Sequence, residues 1–237
     1  MKITTRDTLV ALLIDALEER TAADALRCLA SYCCGTSEVP LALPIDQLLL
    51  PARTAERKQV RDRLQKSELL LWGSHFGVES ISLAPTLVAE YVEIAAKLRQ
   101  YSAVLNEWLP DETALALSTA LRKGVVLFNH HLFFEVHEVL EAQWREESSD
   151  VRPFLQGLIQ VAVAFYHLGN GNFRGTISLL QDGLVKLRPH QPAFLGIQLY
   201  EFIAALETCR EEVRRLGPEG LSSFELQKIP RLRLDSL

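Results

Sequence analysis

Glu135, His137, Glu138 and Glu141 fall within two helical turns of one another in the segment Phe128–Arg145, beside His130, His131, Trp144 and Arg145. Helical spacing puts His137 and Glu141 one turn apart on one face, where two side chains can aim at a common point. A neutral imidazole and an ionised carboxylate so placed suit a divalent metal ion. Glu135, His137 and Glu138 are the groups for general acid/base chemistry. The spacing identifies no third metal ligand. His137-Glu138-Val139-Leu140-Glu141 also departs from the His-Glu-x-x-His of zinc proteases, because Glu141 stands where the second histidine would be. The plainer alternative for such an i, i+4 pair is a solvated face or a weak ion pair.

Helices must position these groups. The spacing predicts helix A over Thr113–Phe128, a tight turn at Asn129-His130-His131, and helix B over Leu132–Glu147 with Phe133, Val136, Leu140 and Trp144 as its apolar stripe. Ser148–Pro153 reads as a loop, followed by helix C over Phe154–Leu168. Gly169-Asn-Gly-Asn172 turns the chain into helix D, Phe173–Leu187, and helix E spans Ala193–Leu216 before Gly217-Pro218. Helix C is apolar except for Gln156, Gln160, Tyr166 and His167. Gln156, Gln160 and His167 share one face at i, i+4 and i+11. A buried amide without a partner costs about 1–3 kcal/mol, so the stripe is expected to meet the polar groups of helix B. It then orients them or a bound molecule, with Trp144 and Arg145 at the rim. A polar network that merely locks helix register is the alternative.

Phe128-Asn129, Phe133–Glu141, Trp144-Arg145, Phe154–Gln160, His167, Gly171-Asn172 and Arg174-Gly175, in this order and at these separations, resemble the family known as domain of unknown function 309. The resemblance covers the chain from about Thr113 onward. It implies a compact helical bundle in which Glu135, His137, Glu138, Glu141, Trp144, Arg145, Gln156, Gln160, His167 and Asn172 are the signature polar positions. It brings no biochemical activity with it. The family commonly has glycine in the turn where this chain has His131, so the resemblance implies a left-handed backbone there, which costs a non-glycine residue about 1 kcal/mol.

The first half lies outside the resemblance. Leu9–Leu17 and Ala22–Cys34 read as helices, with Gly35 as a stop signal, and three prolines mark a connection over Val39–Pro51. Arg53–Ser67 is a helix carrying Arg53, Arg57, Lys58, Arg61, Arg63 and Lys66 against Glu56 and Asp62. Glu68–Trp72 and Val78–Leu83 flank a double-glycine turn and read as a hairpin. Leu87, Tyr91, Ile94, Leu98 and Tyr101 keep the spacing of one buried helical face. Helix, helix, basic helix, hairpin and helix is the order of a winged helix-turn-helix, with Gly73–Gly77 as the wing tip and the basic helix toward a nucleic-acid groove. A solvated charged face is the commoner use of such a run.

The net charge of −5 excludes a generally basic nucleic-acid binder, so any such role must be local. The four cysteines form no Cys-x-x-Cys pair, which argues against a zinc ribbon or a thioredoxin-like site. No apolar run approaches the roughly 18 residues of a membrane span; a cytoplasmic protein is the expectation. The expected fold is mainly α. Residues 1–106 form a small α+β region with a hairpin near 68–83, and residues 113–237 an all-helical bundle of five helices in antiparallel hairpins. The expected function is a polar site between helices B and C, performing metal-assisted or acid/base hydrolysis of a small molecule. The alternative is a non-enzymatic binding or scaffolding protein whose first half contacts nucleic acid or a protein partner.

Overall fold

The structure is a computed structural model that describes residues 1–34, 38–75, 77–111 and 113–235, with His75 as backbone only. The chain divides into two compact units, Met1–Pro110 and Asp111–Leu237. It is mainly helical, with a small antiparallel sheet in each unit.

In the first unit, α1 (Ile3–Glu18) and α2 (Arg20–Cys34) pack together, and α5 (Tyr91–Glu107) lies against α2. Leu87, Tyr91, Ile94, Leu98 and Tyr101 are all buried, as their spacing requires. The proline-rich connection holds more than a loop: β1 (Leu43–Pro44) and a single helical turn, α3 (Ile45–Leu48). Elements this short have no room for periodicity, which is why the sequence hides them. The basic helix is shorter than its predicted span. Thr54–Glu56 is a 3₁₀ turn and α4 runs Arg57–Lys66, burying Val60 and Leu64. The hairpin β2 (Leu70–His75) and β3 (Val78–Leu83) pairs Trp72 with Ile81, and β1 joins the other side of β3, so the order is β1-β3-β2. The Tyr32 hydroxyl holds this sheet to α2: it accepts from Leu83 N at 3.1 Å and donates toward the carbonyls of Pro40 and Leu41, both at 3.3 Å. The order α2-β1-α3-α4-β2-β3 is that of a winged helix-turn-helix. Gly35 and part of the predicted wing tip, Phe76, lie outside the described residues.

The second unit is built from α6 (Ala116–Asn129), α7 (Phe133–Glu146), α8 (Val151–Gly169), α9 (Phe173–Leu187) and α10 (Tyr200–Gly220, broken at Gly217). Consecutive helices pack as antiparallel hairpins, as expected. Phe128 centres the core, with edge-on rings of Phe133, Phe165 and Phe202 within 5.2–6.0 Å. Two predictions need correction. Helix C begins at Val151, because Pro153 sits in the first turn, where its missing N–H is harmless. The start predicted for helix E is instead a hairpin, β4 (Ala193–Phe194) and β5 (Ile197–Gln198). Leu195 and Gly196 both have positive φ, the requirement of a two-residue primed turn. β6 (Arg233–Leu234) pairs with β5, so the bundle is not all-helical.

Candidate functional site

The turn between α6 and α7 places the predicted residues. Leu132 N bonds to Leu127 O at 3.0 Å and His131 N to Phe128 O at 2.9 Å, closing α6 through a left-handed His131 at φ 58°. The His131 ring stacks on Phe133 with centroids 5.5 Å apart and is half-buried rather than a free surface imidazole. That burial, followed by the nearby positive charges of Arg231 and His130, lowers its pKa. Asn129 fastens the C-terminal segment to this turn, donating to Leu232 O at 2.9 Å and accepting from Leu232 N at 2.8 Å.

On α7 the acids and the imidazole satisfy one another along a single helix. His137 Nδ1 lies 3.1 Å from Glu138 Oε1, His137 Nε2 lies 3.4 Å from Glu141 Oε2, and Arg145 donates to Glu141 Oε1 at 3.0 Å. A neutral ring can donate to only one of the two carboxylates. The proposed metal pair, His137 and Glu141, thus lie within ion-pair distance of each other, while the ring's hydrogen bond goes to Glu138. Among the described residues no group of three or more His, Cys, Asp or Glu side chains is placed to hold a metal ion.

Glu135 differs from its neighbours because it is 0% exposed. A lysine that sequence reading passed over, Lys123 on α6, is also buried, at 6% exposed. Ionised groups are kept in an interior only when paired or hydrogen-bonded. The available signal was a lysine one turn before the buried Leu127 and beside Ala120 and Val126 on its helical face.

The α8 stripe divides. Gln156 and Gln160 are half-buried, and the side-chain oxygen of Gln160 is shielded with no hydrogen-bond partner. Among the described residues no hydrogen bond joins either amide to His137, Glu138 or Glu141. His167 turns to the next loop, where its Nδ1 lies 3.2 Å from Asn172 Nδ2. Asn172 Oδ1 accepts from Gly175 N at 3.0 Å and so caps α9. A Cβ at Gly175 would come within 2.7 Å of Asn172 Nδ2 and 2.9 Å of His167 Cδ2, so this cluster needs glycine there. Aromatic rings meet between α7 and α8: Phe134 lies between His137 and Tyr166, with centroids 6.0 and 5.6 Å away. Neither Phe134 nor Tyr166 was among the predicted site residues. Of the predicted rim, Arg145 is exposed and Trp144 is covered by the guanidinium of Arg152, 4.4 Å above its ring.

A cleft of about 1080 Å³ lies elsewhere, between the start of α10 (Tyr200, Glu201, Phe202) and the C-terminal segment (Arg231, Arg233, Asp235). None of the predicted site residues lines it.

In the first unit, the six cations of the basic run point different ways. Arg61 donates to both carboxylate oxygens of Glu79 on β3, at 3.0 and 2.9 Å, and lies over the Trp72 ring at 5.5 Å. Arg63 reaches Glu19 and, at 3.1 Å, the Thr21 hydroxyl. Arg57 is half-buried, with its Nε shielded, and its charge acts on the buried Cys28 thiol, which burial pushes up to about 11. Arg53, Lys58 and Lys66 are exposed.

Comparison with known proteins agrees with the helical part. Residues 121–179 match the family described as Domain of unknown function (DUF309). "Uncharacterized protein YpuF" of Bacillus subtilis (strain 168) is 28% identical over 88 residues, 36% of this chain and 51% of that protein. The chain therefore spans about half the length of the curated relative it matches. No solved structure matches the chain. Among the described residues no helix is long and apolar enough to cross a membrane.

Proposed function

We propose that this chain is a non-enzymatic binding protein, in which the winged-helix unit recognises a macromolecule and the DUF309-like bundle is a separate scaffold. The connectivity α2-β1-α3-α4-β2-β3 with sheet order β1-β3-β2 carries this reading. That arrangement exposes one face of α4 beside a hairpin, the geometry of a recognition helix and its wing. The mutual pairing of His137, Glu138 and Glu141 supports a packing role for the α7 polar groups. Amine-reactive footprinting of the full chain, in buffer and in extract of its own cells, tests the proposal. Protection of Lys58 and Lys66 on α4 is expected. Protection confined to lysines after Asp111 would overturn it.

A second reading keeps a small-molecule hydrolytic site between α7 and α8, with Glu135, His137 and Glu138 as acid/base groups and a divalent ion at His137 and Glu141. The shielded, unpartnered oxygen of Gln160 favours it, because a ligand donor would satisfy that group. Elemental analysis of protein purified without a histidine tag, together with Gln160→Leu, separates the two readings. Absence of stoichiometric metal counts against the ion. A Gln160→Leu protein as stable as the parent and unchanged in ligand binding removes the site.

A further inference from the structure

The run from Arg53 to Lys66 reads in sequence as one basic face, but the fold divides it into struts and contacts. Arg61 ties α4 to the wing through Glu79 and Trp72. Arg63 ties it to the α1–α2 junction through Glu19 and Thr21. Arg57 is half-buried with its Nε shielded. Arg61 and Arg63 are engaged within the unit, and Arg57 is set back from the exposed face. The outward face of α4 then carries Lys58, Gln59, Asp62, Gln65 and Lys66, all exposed, with Arg53 just before the helix. Spacings of three, four and seven residues make them one stripe.

Building on the winged-helix reading, we propose that this stripe docks in the major groove of double-stranded DNA through three phosphate contacts, from Arg53, Lys58 and Lys66, while Arg57, Arg61 and Arg63 are positioning residues that touch no DNA. The stripe has no apolar side chain, whereas protein interfaces concentrate their energy in buried aromatic and Arg anchors. Its amides and its one carboxylate match base edges: Gln59 and Gln65 suit adenine, and Asp62 suits the cytosine amino group. The B-form major groove admits an α-helix, while the deep, narrow groove of an RNA duplex does not. The unit as a whole has 12 Lys and Arg against 14 Asp and Glu. Attraction to phosphate is therefore confined to the stripe.

The expected signature is a shallow salt dependence. Three phosphate contacts give a slope of log K against log salt of about −2.7, so a fourfold rise in salt weakens binding about 40-fold. Six contacts would give about −5.4. Fluorescence anisotropy of the full chain with a short labelled duplex of mixed sequence reads this directly. Lys58→Gln and Lys66→Gln, both at exposed positions, should each flatten the slope by about 0.9. The double variant Arg61→Gln/Glu79→Gln should leave the slope as it was. Arg63→Gln serves as the second strut variant if the first fails to fold by circular dichroism. Absence of duplex binding, a slope near −5.4 in the parent, or a slope unmoved by Lys58→Gln and Lys66→Gln overturns the proposal. So does preferential binding of an acidic polypeptide. If the duplex fails while extract still protects Lys58 and Lys66, the DNA assignment falls and the binding-module reading stands. If nothing protects them, both fall.

Discussion

The hairpins α6–α7 and α8–α9 close by the same backbone geometry, 40 residues apart. Leu132 N bonds to Leu127 O across a left-handed His131, and Asn172 N bonds to His167 O across a left-handed Gly171. Behind matching turns the two interfaces are built differently. α8 and α9 approach through glycine: a Cβ at Gly183 would sit 2.7 Å from Val161 Cγ2 and 3.0 Å from the Gly157 carbonyl. α6 and α7 instead bury two ionisable side chains, Lys123 and Glu135. At the place of Glu135, the third residue of its helix, the other pair has Gly175. One backbone solution thus carries a close-packed apolar interface in one hairpin and buried ionisable side chains in the other.

The sharpest way to break this comparison is at Glu135. Glu135→Ala empties the place of a fully buried side chain and should cost about 2–5 kcal/mol in urea unfolding. A loss below about 1 kcal/mol would mean that the carboxylate does not hold the α6–α7 interface. Next in size, Gly183→Ala should cost about 1–3 kcal/mol, because the added methyl meets backbone as well as Val161. Gly124→Ala is its counterpart in the first hairpin. The added carbon there meets only the Leu140 side chain, the nearest atom being Leu140 Cδ2 at 3.1 Å, so the change should cost less than about 1 kcal/mol. Asn172→Ala deletes the α9 cap and should cost about 1 kcal/mol. Gly171→Ala should cost about 1–2 kcal/mol from the left-handed backbone alone.

The smallest effect concerns pH. Burial, Arg231 and His130 hold His131 below its ordinary value of 6.5. The unfolded chain therefore binds the proton first as pH falls. The contribution of His131 to stability is intact above about 6.5 and is lost progressively below it. In His131→Gln, thermal stability should fall less between neutral and mildly acidic pH than in the parent. An identical pH profile would show that the ring titrates alike in both states.

Much of the second unit is legible in sequence because its helices are long and strongly periodic. Helix D is recovered residue for residue, and the left-handed turn residue His131 follows from the glycine that the family carries there. The candidate site is less legible. Spacing puts His137 and Glu141 one turn apart, but it cannot say that the ring's hydrogen bond goes to Glu138. It placed His167 in a stripe with Gln156 and Gln160, yet His167 is bound to Asn172 in the following loop. Lys123 escaped because one lysine in an apolar face reads as noise until its neighbours are known to be buried. β1, α3, β4 and β5 escaped because two to four residues carry no period.

By itself, the sequence determined the helical class, the antiparallel hairpins and the positions able to carry charge, since these depend on local periodicity and turn chemistry. Only the tertiary structure decided how each charge is used. Arg61 and Arg63 are struts because Glu79 and Glu19, distant in sequence, arrive beside them. Glu135 is interior and Glu138 is not, although they are three residues apart on one helix. Charge partners and burial arise from contacts between distant segments, and a linear pattern does not encode them.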